Sequence, residues 1–390
     1  MDKTNKILTR GVDEVIVEES LARKLATRKN LIIKLGIDPT GSELHLGHAV
    51  VLKKLQEFQD AGHQAVLVVG DFTALIGDPS GRTKERKKLT KVQIEKNMES
   101  YKKQASKVLD FNKVQFVYNS SWFEKMGLQG VLELASKATI AQILERKEFR
   151  ERLKENIDVP YLEMLYPLMQ GYDSVHLKAD VELGGTDQKF NLLMGRQIQK
   201  RYDQEEQDVV MMKLLTGSDG SKMSKSANNY ISLSATPEDM YGKIMAIPDD
   251  LMAEYAELCT DLELEEFNKV KDPFNLKRKL ARTIVEMYHD SPSSLMAEEN
   301  FKQVFQEGNY AKANIPDLIV TIPAGLYKPI EFPIISGATT STVQAKDLLR
   351  SGGAEIDGQK IEIQNWSKPI AVSPGQIIRV GKRRVIKVLK

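Results

Sequence analysis

The chain has 390 residues, 41% hydrophobic and 28% charged, which suits two or three soluble globular domains and excludes a disordered chain. No apolar run approaches the ~20 residues that span a bilayer, and Met1 to Arg10 is polar, without a signal-peptide core. The net charge of +2 is unevenly spread: Gly337 to Lys390 holds ten Lys or Arg against four Asp or Glu, so the remainder is slightly acidic.

Leu31 to Ile37 is a short β-branched run that reads as a strand, followed by a turn at Asp38-Pro39-Thr40-Gly41. Leu46, Ala49, Val50, Leu52, Leu55 and Phe58 then recur at helical spacing, and Gly62 is placed to end that helix. Ala65 to Val69 is continuously apolar, as in a strand buried on both faces. Strand, helix and strand in so short a span form a βαβ unit. The fold class is therefore α/β, a doubly wound parallel sheet of Rossmann type.

His45 and His48 lie three apart in the first turn of that helix, on one side of it. A helix amino terminus offers free N–H groups and positive potential, which suits a phosphate. Gly47 between them lets a ligand approach the backbone. Taken alone, His-Leu-Gly-His would equally serve as a cap, or as two metal ligands lacking a third. Arg82 to Lys91 holds six basic residues against Glu85, a solvated face or a polyanion contact.

Thr90 to Arg201 reads as mostly helical, with Ala138 to Leu153 one long stretch, and Val209 to Leu215 reads as a last strand. Gly217-Ser218-Asp219-Gly220-Ser221-Lys222-Met223-Ser224-Lys225-Ser226 reads as a mobile loop whose two lysines can close on a pyrophosphate-like group. Alone it would pass for an ordinary exposed basic loop. Pro237 to Gln306 reads as helices separated by Pro248, Pro273 and Pro292. Pro316, Pro323, Pro329 and Pro333 read as a linker. The rest, basic and small, has the character of a module that meets polyanions. Cys259, the one cysteine, excludes an internal disulfide and fits a reducing compartment: the cytoplasm, or an organelle interior.

Together, His45-Leu46-Gly47-His48 after a first strand and Lys222-Met223-Ser224-Lys225-Ser226 later resemble the two signatures of class I aminoacyl-tRNA synthetases. Four further stretches are similar to the bacterial-type tyrosyl-tRNA synthetases: Lys34 to Thr40, Gly77 to Arg82, Tyr166 to Asp173 and Leu183 to Gln188. The resemblance implies tyrosine activation by ATP, with Mg2+ accompanying the nucleotide and no dedicated protein site for it, then transfer to tRNA(Tyr). It assigns Thr40, His45, His48, Arg82, Arg86, Lys222 and Lys225 to catalysis, and Gly36, Asp38, Gly47, Asp187, Met223 and Ser224 to ATP. Asp78, Tyr166, Gln170, Asp173 and Gln188 are assigned to tyrosine, with Asp173 receiving the hydroxyl.

A buried acceptor facing a phenol rejects phenylalanine, which would leave it unpaired. The residues depart from the best-known branch of the family at Lys34, where that branch has tyrosine, and at Glu182, where it has glutamine. They leave open whether Lys34 turns from the pocket or pairs with an acid. Ala345 to Ala354 and Gly375 to Arg384 are similar to a small RNA-binding domain of the bacterial tyrosyl enzymes. Lys346, Arg350, Arg379, Lys382, Arg383 and Arg384 would there meet phosphates.

The expected organisation is a catalytic domain over 1–235 with a helical insertion near 110–180, a helical anticodon-binding domain over 236–330, and an RNA-binding domain over 336–390. The family is dimeric through the insertion, so a cytoplasmic homodimer without membrane attachment is expected. The rivals are a tryptophanyl enzyme, which normally lacks both the Tyr-x-x-x-Gln-x-x-Asp pattern and the tail, and a non-catalytic RNA-binding descendant, which would be expected to lose histidines or loop lysines.

Overall fold

The computed structural model describes residues 7–28, 30–79, 89–267, 269, 272–305, 319–339, 341–361, 364, 366–381 and 384–389. Two compact units emerge, one of 1–234 with 253–262 and one of 235–252 with 263–390.

The first unit is built on a six-stranded sheet. Its strands are β1 (Val12–Ile16), β2 (Ile32–Ile37), β3 (Gln64–Val69), β4 (Gln115–Tyr118), β5 (Val181–Gly185) and β6 (Asp208–Met212). Their order is β1-β6-β5-β2-β3-β4, all parallel except β1, which runs antiparallel along β6. β2 leads to β3 and β4 on one side, and the chain then returns to place β5 and β6 on the other. That reversal between β2 and β5 is where doubly wound sheets open a crevice beyond the carboxyl ends of their strands.

The expected strand–helix–strand unit is present as β2, the Leu46–Asp60 helix and β3, with Gly62 at φ +93° just past the helix end. The stretch expected as helical contains β4, whose Gln-Phe-Val-Tyr is only partly buried. It also contains a break: Ala138–Leu153 folds as Ile140–Ile143 and Lys147–Lys154, with Arg146 between them at φ −59°, ψ 126°. That extended residue turns its guanidinium inward, where it is 1% exposed. The last strand stops at Met212, ahead of the expected Leu215.

The Tyr161–Leu177 helix packs on the Lys189–Arg201 helix at very short range. A Cβ on Gly171 would stand 3.0 Å from Ile198 Cγ1 and 3.3 Å from the Gly195 backbone. Phe123, Phe149, Leu168, Met194 and Ile198 fill the core beneath these helices with Val66 and Val68 of β3.

In the second unit, Pro237 and Pro273 open helices, Pro237–Met245 and Pro273–Tyr288, whose preceding Thr236 and Asp272 cap the free N–H groups. A further helix, Ser291–Phe305, packs against both. Tyr241 lies 5.5 Å from Phe301, and Arg278 pairs with Glu298 at 2.9 Å.

The basic module is a five-stranded sheet of β7 (Ile319–Pro323), β9 (Ala354–Ile356), β10 (Gln359–Lys360), β12 (Ile377–Val380) and β13 (Arg384–Leu389). Its order is β10-β9-β12-β13-β7, and β8 (Gly325–Tyr327) pairs separately with β11 (Ile370–Val372). The proline-rich connection is thus shorter than expected. Pro323 ends β7, Pro333 sits in a helix, Glu331–Ile335, with buried Phe332, and Pro316 lies outside the described residues.

Candidate active site

His45 is the extended residue before the Leu46–Asp60 helix. Its backbone N–H donates to His48 Nδ1 at 3.2 Å, and the two ring centroids are 3.9 Å apart. Gly47 makes this possible, because a Cβ there would stand 3.1 Å from both Nδ1 and Cε1 of His45. His45 Nδ1 is buried and has no hydrogen-bond partner among the described residues. Burial, then the charges of Lys225 and Lys222, push His45 down to about 3. Burial, then His45 and the same lysines, holds His48 well below the ordinary range. Both imidazoles are therefore neutral near pH 7, able to donate an N–H beside the lysines without adding charge.

The Lys-Met-Ser-Lys-Ser loop is knitted together rather than open. Gly217 N–H donates to Ser221 O at 2.7 Å, and Asp219 Oδ1 accepts from Ser221 N–H at 3.0 Å. Asn229 spans the loop, donating to Asp219 Oδ1 at 2.7 Å and Lys222 O at 3.1 Å while accepting from Ser224 N–H at 2.8 Å. Met223 is buried and anchors the segment, so the lysines on either side are displayed. Lys222 Nζ pairs with Asp187 at 2.6 Å. Lys225 Nζ donates to Glu43 O at 2.7 Å and reaches the Tyr101 hydroxyl at 3.3 Å.

At the other end, carboxylates converge. Asp38, just beyond β2, accepts from Tyr166 OH and from Thr73 Oγ1, each at 2.9 Å. Asp78 accepts from Gln188 Nε2 at 2.8 Å and Asn191 Nδ2 at 3.4 Å, with Arg146 Nη2 3.6 Å away. Asp173 accepts from Trp122 Nε1 at 3.0 Å and Asn119 Nδ2 at 3.4 Å. Burial pushes the Asp173 carboxyl up to about 7, against the opposing charge of Lys34. Burial and then Asp38 hold the Tyr166 phenol well above its usual range, so it stays a donor. Lys34 is paired: its ammonium lies 2.9 Å from Glu182 Oε1, both side chains being essentially inaccessible.

Gly36, Asp38, Thr40, His45, Gly47, His48, Asp78, Tyr166, Gln170, Asp173, Asp187, Gln188, Lys222, Met223, Ser224 and Lys225 all line one cavity of about 340 Å3. Arg82 and Arg86 lie outside the described residues. In the tail, Lys346 and Arg350 sit one turn apart on the Thr342–Arg350 helix, and Arg379 and Arg384 lie on neighbouring strands β12 and β13. Lys346 Nζ stands over the Trp366 ring at 4.0 Å, while Lys382 and Arg383 lie outside the described residues.

Sequence reasoning missed Thr73, Asn119, Trp122, Arg146, Asn191 and Asn229. For Asn119 a signal existed: it directly follows β4, where a doubly wound sheet presents functional groups, but that strand was hidden in a stretch expected as helical. Among the described residues no cluster of three or more His, Cys, Asp or Glu could hold a metal ion.

The family model of class I tRNA synthetases (W and Y) matches residues 26–306. A tyrosine–tRNA ligase of Moorella thermoacetica is 45% identical, covering 98% of this chain and 95% of that protein. One of Thermotoga maritima is 44% identical, covering 98% and 96%. Among solved structures, a tyrosyl-tRNA synthetase from Archaeoglobus fulgidus complexed with L-tyrosine aligns with a TM-score of 0.62 at 24% identity, over 75% of this chain and 100% of that one. That last likeness is one of fold.

Proposed function

The chain belongs to the class I tRNA synthetases of the W and Y family, on the tyrosine–tRNA ligase side, and from that premise we propose how its cavity works. The enzyme activates L-tyrosine with ATP. A carboxylate oxygen of tyrosine attacks the α-phosphorus, the bond to the bridging oxygen breaks, and pyrophosphate leaves. A terminal ribose hydroxyl of tRNA then attacks the carbonyl of tyrosyl-adenylate, and AMP leaves. The substrate supplies its own nucleophile, so the protein's task is positioning and charge stabilisation.

The observation that carries this reading is the polarity of one cavity. Of the lining residues, neutral His45 and His48 group with Lys222 and Lys225, whereas Tyr166 groups with Asp78 and Asp173, close to Gln170 on the same helix. In the proposal, the histidines donate to phosphate oxygens while the lysines offset the charge that develops there. Thr40 and the backbone at Gly36 and Gly47 seat the nucleotide, with Asp38, Asp187, Met223 and Ser224 around it. Mg2+, if carried by the nucleotide, would offset phosphate charge without a dedicated protein site. Asp78, Tyr166 and Gln170 receive the ammonium end of tyrosine and Asp173 its hydroxyl, while Gln188 lines the substrate pocket. Arg82 and Arg86 are assigned to the pyrophosphate.

The basic tail residues Lys346, Arg350, Arg379, Lys382, Arg383 and Arg384 are proposed to meet tRNA phosphates, with binding that weakens steeply as salt rises. A homodimer is proposed through the Ser120–Ser136 region, where Leu128 is 75% and Leu132 61% exposed, with Ile140 nearby in sequence at 64%. A cytoplasmic setting fits the single buried cysteine. Among the described residues no helix is long and apolar enough to cross a membrane.

The test is amino-acid-dependent exchange of labelled pyrophosphate into ATP. Tyrosine should support exchange, while phenylalanine and tryptophan should not. Exchange with tryptophan instead would overturn the pocket assignment, and none with any amino acid, in chain that still binds tRNA, would overturn the enzymatic reading.

A further inference from the structure

The two departures from the best-known branch of the family turn out to be one feature. Lys34 and Glu182 are direct neighbours in the register of β2 and β5, and their side chains meet at 2.9 Å with almost no exposure. The Lys34 ammonium spends its three protons on Glu182 Oε1, on Ser174 Oγ at 2.6 Å and on Gln170 O at 2.9 Å. Glu182 is equally committed. Its Oε1 also accepts from Gln170 Nε2 at 3.1 Å, while Oε2 accepts from Ser174 Oγ at 3.3 Å and from Gln207 Nε2. Room for this comes from Gly195, where a Cβ would stand 3.1 Å from Glu182 Oε2.

A carboxylate accepts hydrogen bonds and does not donate them, so the atom Gln170 turns toward Glu182 must be its nitrogen. The amide oxygen is then what Gln170 has left for the cavity it lines, and an oxygen is what an ammonium needs. Lys34 meanwhile ties the Gln170 carbonyl and Ser174, which bracket Asp173, to the central strand. We infer that Lys34 and Glu182 are positioning residues for the amino-acid substrate, fixing the acceptor face of Gln170 and the helix turn that carries Asp173. The inference rests on the amino-acid pocket proposed above, and it adds two residues that reach the substrate only through others.

Pyrophosphate exchange, with KM for tyrosine and for ATP measured separately, tests it on wild type, Lys34→Met, Glu182→Gln and the double variant, alongside thermal unfolding. Each single change leaves a buried charge unpaired and lowers the melting temperature. The double variant removes both charges and so separates folding from positioning. With a recovered melting temperature it should still show KM for tyrosine raised at least tenfold and KM for ATP within twofold of wild type.

Folded variants with wild-type KM for tyrosine overturn the inference, as does a parallel rise in both KM values. Should every charge removal unfold the chain, Ser174→Ala decides: it keeps both charges but removes the hydroxyl between them. About a threefold rise in KM for tyrosine is expected, and no change overturns the inference. Wild type that fails to exchange with tyrosine overturns the pocket reading itself, a result distinct from any variant arm.

Discussion

The two ends of the cavity are built by opposite means. At the proposed nucleotide end, charge is carried by lysines on long stems, and the histidines are kept neutral by burial. At the proposed amino-acid end, Asp78 and Asp173 are held by rigid donors: an indole and three amides on helices and strand ends. An end that must follow charge as it moves benefits from adjustable cations, whereas one that must tell a phenol from a benzene ring benefits from acceptors that cannot relax. In the proposed reaction the first sets rate and the second sets choice.

The comparison breaks most visibly at Lys225. Lys225→Ala is expected to lower kcat for exchange by about 10²–10³, as loss of one transition-state partner does elsewhere, while tyrosine affinity stays within twofold. A comparable loss of tyrosine binding would show that the ends are not separable. Next in size is Asp173→Asn, which puts an amide in place of the proposed acceptor for the hydroxyl. Leaving a buried polar group mispaired costs about 1–3 kcal/mol, so preference for tyrosine over phenylalanine should fall on the order of ten- to a hundredfold in kcat/KM. In wild type, tyrosine should bind more tightly as pH rises through about 7, where the buried Asp173 ionises; calorimetric titrations at pH 6 and 8 would read it.

The ends should also titrate oppositely in stability. Asp173 holds its proton more tightly folded than its ordinary 3.8, so its contribution is complete below that value and is lost as pH rises through about 7. His45 is the reverse: its contribution is intact above 6.5 and lost as pH falls toward about 3. Melting curves of Asp173→Asn against wild type between pH 4 and 8 should diverge in the first sense, and a pH-independent difference would refute it. The smallest effect belongs to Asn229→Ala. Loosening the loop at about 1 kcal/mol should raise KM for ATP roughly fivefold without touching KM for tyrosine.

Much of this was legible in the chain. Apolar runs fixed β2 and β3 to within a residue, and the motif residues that line the cavity, Arg82 and Arg86 lying outside the described residues, come together because loops at the carboxyl ends of parallel strands must converge. What escaped was short or long-range. β4 has four residues with no fully buried member, and β1, Val-Asp-Glu-Val-Ile, presents two acids among its five. Helical periodicity ran unbroken across Arg146, because the reason for the break, Asp78 and Asn191, lies far away in sequence. Asp38 with Tyr166, and Asn119 with Asp173, are likewise pairings that only the folded sheet creates.

The position of β13 has a consequence for synthesis. It is made after every other strand of its sheet, yet lies inside it, between β12 and β7. A ribosome therefore releases β7 long before its partner exists, and the module cannot assemble by adding strands in the order they emerge. Until β13 arrives, β7 and β12 each present an open backbone edge, the kind that neighbouring nascent chains pair with. Protection during that interval must come from speed or from a chaperone.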